Sequence, residues 1–209
     1  MPLIGFKHLN HIRAGLFNVH ATRVLNHSSI DAQSLSDAEV EGREQAWQVA
    51  EFLKRRVPGF ENAFLVTSCT QIGVREGRRL TGAYVLTDED VLNARKFDDV
   101  IACGCYNIDI HQPQGDRTVH IPVPEGDWYD IPYRCLYSAE VGGFLAAGRD
   151  ISGTREAHGS YRGQSHCMAI GQAAGCAAAL AARESCDVRT LDVELLQKTL
   201  RSQDAFLGE

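Results

Sequence analysis

Between residues 143 and 183 the sequence carries a short apolar run, Gly143-Phe144-Leu145-Ala146-Ala147-Gly148. A loop with glycines at 148, 153, 159 and 163 follows, then a small-residue stretch from about Gln164 to Arg183. Glycines let backbone amides approach a ligand closely. The first amides of a helix lack intrahelical partners and sit at the positive end of its dipole. A strand, glycine-rich loop and helix of this kind suits a phosphate or another electron-rich group, and Arg149, Arg155 and Arg162 add positive charge. The same spacing also describes a tight crossover that binds nothing. No G-x-G-x-x-G occurs here, so the pattern by itself claims no dinucleotide fold.

Other residues could do chemistry. Gly73-Val74-Arg75-Glu76-Gly77-Arg78-Arg79 places three arginines in five residues. Guanidinium groups match carboxylate and phosphate, so the cluster could clamp an anionic substrate or cofactor group; a solvated loop paired with local acids is the bland alternative. His158 and His166 flank the start of the small-residue helix, each a proton-transfer group or a loop-bonded structural histidine. Asp109 and His111 would point the same way on a strand, a weak acid-base pair. His8 and His11 have H-x-x-H spacing, but no third ligand can be placed beside them. Cys103 and Cys105 form a C-x-C pair with no second pair at zinc-site spacing.

These residues need elements to hold them. Gly15 to Leu25 reads as a strand. Ser36-Asp37-Ala38-Glu39 reads as a capping box opening a helix that presents Ala46, Trp47, Val49, Ala50 and Leu53 on one face. Lys54, Arg55 and Arg56 suit its C-terminal end, and Pro58-Gly59 stops it. Strands are expected at 64–67, 80–86, 100–110 and 118–123, with further extended chain at 128–137. Thr87-Asp88-Glu89-Asp90 caps a short helix or turn, and residues 112–116 form a hairpin turn. The run at 143–148 reads as a strand buried on both faces. The helix from 164 reads as buried, with Gly171 and Gly175 allowing close packing, and a final amphipathic helix covers 192–203. The expected fold class is mixed α/β. Residues 1–140 form a strand-rich, antiparallel layer with one long helix, and 141–209 a strand-loop-helix portion.

Composition bounds the rest. The 209 residues are 44% hydrophobic and 23% charged, values of a globular chain. Lys and Arg number 21 against 27 Asp and Glu. The net charge of −6 argues against a nucleic-acid or membrane-surface binder. Seven scattered cysteines fit a reducing compartment better than a disulfide framework. The first six residues lack the basic start and apolar stretch of a signal peptide, so a cytoplasmic location is expected.

The sequence resembles the C-terminal half of a bacterial FAD-dependent oxidoreductase of the glutathione-reductase-like superfamily. The resemblance runs from about residue 15 to 205. It is carried by Ala38-Glu39-Val40-Glu41-Gly42-Arg43, Val57-Pro58-Gly59-Phe60-Glu61-Asn62, Gly73-Val74-Arg75-Glu76 with Arg78-Arg79, and Ile131-Pro132-Tyr133-Arg134-Cys135-Leu136. The most specific stretches are Ala147-Gly148-Arg149-Asp150-Ile151-Ser152, Glu156-Ala157-His158-Gly159-Ser160 and Met168-Ala169-Ile170-Gly171-Gln172-Ala173-Ala174-Gly175.

That resemblance implies a strand-rich substrate domain over the flavin, and the last strand and helix of a Rossmann-like FAD-binding domain at 143–183. It places Gly148, Arg149 and Asp150 by the pyrophosphate and ribityl chain of FAD. Gly159, Ser160, Arg162, Gly163, Gln164 and Ser165 fall by the flavin ring. Arg75, Arg79 and His158 become the polar active-site candidates. Gly77 departs from the Ser or Thr expected after Glu76, and the family's N-terminal dinucleotide fingerprint is absent. The chain is therefore expected to work with a Rossmann-type partner or by self-association, as part of an oxidoreductase acting on a small organic substrate. Two alternatives stay open: an accessory or binding subunit that kept the fold without the redox role, and an enzyme binding another anionic ligand at the glycine-rich loop.

Overall fold

Asp31 begins the longest helix: its carboxylate accepts from the backbone amide of Ser34 at 2.7 Å, an N-cap bond that satisfies one of the helix's orphan donors. The computed structural model describes residues 9–111 and 118–208. Its contacts divide the chain into two units, Met1–Gly77 and Arg78–Glu209. The boundary expected near residue 140 separates types of element and falls inside the second unit.

In the first unit, β1 (Leu9–Arg13) and β2 (Leu16–Val19) form an antiparallel hairpin. Gly15 in its turn has φ +77°, which suits glycine. β2 is shorter than the strand expected at 15–25. Helix α1 covers Ala32–Arg56. It starts a turn earlier than the expected capping box because Asp31, not Ser36, supplies the cap; Ser36 lies inside the helix and its hydroxyl donates to the carbonyl of Ala32 at 2.9 Å. Lys54, Arg55 and Arg56 occupy the last turn, and the amide of Val57 closes on Leu53 at 3.0 Å before Pro58. Leu53 and Ala38 are buried, whereas Trp47, expected on the packed face, is 61% exposed. Residues 64–67 form no strand. No neighbouring strand among the described residues pairs with them, and Phe64 is 79% exposed.

The second unit holds a continuous apolar core that includes Leu86, Val91, Ile101, Ile108, Tyr129, Ile131, Leu136, Ile151, Tyr161, Ile170, Leu196 and Leu200. Burying each large side chain contributes about 1.5–3 kcal/mol. The expected single layer is replaced by antiparallel pairs. β3 (Val100–Gly104) pairs with β6 (Tyr129–Pro132), and β4 (Ile108–His111) pairs with β5 (Thr118–Ile121). Exposed residues 105–107 break the strand expected at 100–110. The hairpin turn expected at 112–116 lies outside the described residues. The strand expected at 80–86 is not formed: residues 83 and 84 bend, Leu86 alone makes an isolated bridge with Gly153, and the amides are shared among several segments, Leu80 donating to Asp150, Ala83 to Tyr137, Tyr84 to Arg134 and Leu86 to Ser152. Helix α2 (Asp88–Leu92) has a complete capping box between Thr87 and Asp90.

The C-terminal third contains α3 (Arg155–Tyr161), α4 (Gln164–Glu184) and α5 (Val193–Arg201). Helix α3 packs on β4, and α4 packs on β3 and α5. The strand expected at 143–148 is not formed. Ala146 donates to Leu136 at 2.7 Å, no ladder follows, and Phe144 is exposed. Helix α4 is buried on one side only. Met168, Gly171, Gln172 and Gly175 face outward, and no atom lies within 4 Å of a Cβ built on either glycine. Among the described residues, no helix is long and apolar enough to cross a membrane.

Candidate functional site

The site begins at Gly148, whose φ of +70° turns the chain into a short 3-10 turn over Gly148–Asp150. A left-handed φ favours glycine, since other residues strain there. The turn is held from several sides. Asp150 accepts from Leu80 at 2.8 Å, Ser152 donates to Cys135 at 2.9 Å, and Thr154 donates to Leu86 at 2.8 Å. Arg149 and Asp150 are exposed at its tip.

Helix α3 follows, inside a stretch that reads as loop in the sequence. Thr154 caps it, its hydroxyl accepting from the amide of Ala157 at 3.2 Å. That cap, with Glu156 in the first turn, is the local signal for the helix. Residues 157–161 are all buried. Gly159 lets α3 approach β4: a Cβ there would stand 3.1 Å from the carbonyl oxygen of Asp109 and 3.2 Å from Ile110. Ser160 donates to the carbonyl of Tyr106 at 2.5 Å. Its only proton is thereby used, so the hydroxyl of Tyr129, 2.7 Å away, donates to it. Both Gly159 and Ser160 thus occupy packing positions.

His158 is buried, with an imidazole nitrogen donating to the backbone carbonyl of Arg149. Burial, and then the charges of Arg79, Arg162 and Arg149, push its pKa down to about 4. The imidazole is therefore neutral at pH 7. Its ring stands edge-on to Tyr161, centroids 5.2 Å apart. The Nε of Arg79 donates to the carbonyl of Gly153 at 3.1 Å, and Arg162 donates to the carbonyl of Asp109 at 2.8 Å. Arg79 and Arg162 are thus anchored to backbone carbonyls, of Gly153 and Asp109, and Arg149 lends its own backbone carbonyl to the His158 ring. Arg75 is exposed and belongs to the first unit. On that unit, Gly77 has a packing reason of its own: a Cβ would meet the Ser29 hydroxyl at 2.9 Å.

Gly163 caps α4 and provides no side-chain acceptor. A Cβ on it would stand 3.0 Å from Nδ1 of His166. That nitrogen is buried with no hydrogen-bond partner, and burial lowers the histidine's pKa. Gln164 and Ser165, the first residues of α4, are exposed. The start of this 21-residue helix therefore combines amides without side-chain acceptors, an unsatisfied imidazole nitrogen and nearby arginines. An electron-rich ring edge or anion fits that set.

The remaining candidates lie apart from this arrangement in role. Asp109 faces His120 across the β4–β5 pair at 3.9 Å; the side chain of His111 and all of His8 lie outside the described residues. Cys103 and Cys105 line an open cavity of about 470 Å³ with Val123, Trp128 and Phe206. Burial raises the Cys103 thiol to about 12 and also raises buried Asp130, which accepts from it at 3.7 Å. This is a structural pair. Among the described residues, no cluster of three or more His, Cys, Asp or Glu could hold a metal ion.

A family model described as FAD dependent oxidoreductase matches residues 6–200. No curated protein matches the chain, and no solved structure does.

Proposed function

Since the chain belongs to the FAD dependent oxidoreductase family, we propose that its second unit supplies the ring-side contacts for FAD and one wall of the substrate site. The observation that carries this reading is the start of α4. There Gly163 leaves the first amides without a side-chain acceptor, and His166 aims an unsatisfied Nδ1 at the same place.

In this reading Gly148, Arg149 and Asp150 hold the ribityl and pyrophosphate side, with Gly148 giving the backbone its close approach. Arg162, Gly163, Gln164 and Ser165 face the ring edge. The bound flavin supplies the hydride acceptor. The helix start stabilises negative charge developing at the ring edge, because its dipole is fixed and needs no reorganisation. Gly159 and Ser160 set the distance of α3 from β4 rather than touching the ring. His158, held neutral, orients a polar group of a small organic substrate as a hydrogen-bonding partner.

The ADP half of FAD is assigned to a Rossmann-type segment outside residues 1–209, on a partner chain or on an N-terminal half, since these residues carry no dinucleotide fingerprint. The open α4 face around Met168, Gly171 and Gly175 has the small residues that let a sheet approach closely. Visible absorption of the purified chain with and without FAD tests the cofactor assignment. Bands near ~370 and ~450 nm that stay with the protein through gel filtration support it. Free flavin alone, even with a co-expressed Rossmann-type partner, counts against it.

A further inference from the structure

His166 is the third residue of α4, and its ring folds back on the Gly163 cap. A Cβ on Gly163 would stand 3.0 Å from Nδ1, so a side chain there would press on the ring. His166 is 7% exposed, and its Nδ1 is buried with no hydrogen-bond partner. Glutamate or glutamine at this third position commonly reaches back to the cap. An imidazole in its place adds a group that can gain a proton near neutral pH. The amide of Cys167 closes on the Gly163 carbonyl at 2.9 Å. The amides of Gln164, Ser165 and His166 come before it and have no acceptor among the described residues. The unpartnered nitrogen and the unpartnered amides therefore share the first turn of one helix.

Two effects hold this imidazole neutral. Burial lowers its pKa, with no contribution from Arg162 or any other charged side chain among the described residues. The positive end of the helix dipole also disfavours an imidazolium. Tyr129 of β6 stacks on the ring, centroids 6.5 Å apart, and burial raises its pKa so that the phenol stays neutral. No carboxylate thus compensates a proton on Nδ1. Negative charge at the amides would reverse the balance, because an opposite charge within about 4–6 Å raises a histidine's pKa by about 1–3.

We propose that His166 takes up a proton when negative charge arrives at the start of α4, so that two-electron reduction of a flavin seated there binds one proton more than the ring itself takes. The proposal rests on the flavin reading above. In the balanced step a hydride leaves a substrate C–H bond for the ring, the substrate is oxidised by two electrons, and the ring edge gains one negative charge. Solvent supplies the proton that bonds Nδ1, beside the exposed Gln164 and Ser165.

The test uses the full chain with isotope-labelled histidine and FAD, before and after anaerobic reduction with dithionite. The His166 resonances are identified by their loss in His166→Gln, which keeps the reach to the cap and cannot titrate. Near neutral pH, the ring is expected to stay neutral with oxidised FAD and to become imidazolium on reduction. The potential of bound FAD should fall with pH twice as steeply in the native chain as in His166→Gln, since each proton per two electrons adds about 30 mV per pH unit. Equal slopes, or a His166 that stays neutral beside reduced FAD, overturn the proposal and leave the flavin reading intact. Absence of FAD binding, alone or with a co-expressed Rossmann-type partner, removes both. If His166→Gln does not fold, histidine resonances of the native chain decide: one imidazole must gain a proton on reduction, and none doing so sinks the proposal.

Discussion

The hydroxyl of Tyr129 on β6 stands 2.7 Å from the hydroxyl of Ser160 on α3, and Ser160 passes its own proton to the carbonyl of Tyr106. Tyr129 and Ser160 are both fully buried, so this short chain ties α3 to the β3–β6 region. Burial raises the Tyr129 pKa, which keeps the phenol a donor at every ordinary pH. Tyr129→Phe is expected to cost about 1 kcal/mol of stability, and Ser160→Ala about 1–3 kcal/mol because it orphans the buried Tyr129 hydroxyl and removes the donor to the Tyr106 carbonyl. Urea unfolding of both single variants and the double variant measures this. Their costs should fall short of additivity by at least about 0.5 kcal/mol; strictly additive costs would mean the two hydroxyls do not act together.

His158 gives the second unit an acid-sensitive stability. Its folded pKa of about 4 lies below the ordinary 6.5. The depressed value means the unfolded chain takes up a proton that the folded chain refuses. The stabilisation is therefore complete above pH 6.5 and is lost as pH falls from 6.5 toward 4, by about 3 kcal/mol in total. The groups that face it are Arg79, Arg149 and Arg162, all cationic throughout this range, and Tyr161, which stays neutral. His158→Gln should flatten that part of the stability curve whatever it costs at pH 7. Equal slopes for the native chain and the variant between pH 6.5 and 4 would refute the assignment.

Gly159 has a packing role that can be separated from ligand contact. A methyl group there meets the Asp109 carbonyl oxygen at 3.1 Å and Ile110 at 3.2 Å. Gly159→Ala must push α3 from β4, at a cost of about 1–3 kcal/mol. If the proposed flavin wall depends on that distance, FAD affinity falls in parallel. Thermal unfolding and an FAD titration on the same samples would show whether the two losses track each other. An unaltered melting temperature would mean α3 does not rest on β4 as described.

Much of this architecture is legible in the amino-acid sequence. The long α1, its basic last turn and its stop at Pro58 follow from local chemistry, as do the Thr87 cap, α4 and α5. The glycine-rich loop points to the region of the Gly148 turn, α3 and the start of α4. Other features are not local. Residues 64–67 and 143–148 have strand composition, yet neither has a partner strand among the described residues, and composition cannot supply one. Helix α3 is hidden because Gly159 reads as a loop signal until β4 is placed 3.1 Å away. Ser36 resembles a cap because a capping box is a four-residue pattern, and the better acceptor, Asp31, lies just outside it. The Tyr129–Ser160 bond spans 31 residues and has no sequence signature.

The α4 face offers a test of the partner assignment that does not need the partner's identity. Gly171 and Gly175 lie in mid-helix, and nothing in the structure comes within 4 Å of a side chain placed on either. Glycine in a helix interior costs about 0.5–1 kcal/mol relative to alanine. In the isolated chain, Gly171→Ala and Gly175→Ala should therefore each raise stability by about that amount, read as a higher urea midpoint. A selection for close approach would explain why two glycines sit at a position where alanine folds better. Gly171→Leu should then leave the chain folded but abolish assembly with a Rossmann-type partner and the FAD absorbance that depends on it. If Gly171→Leu assembles and binds FAD as well as the native chain, the partner does not dock on α4.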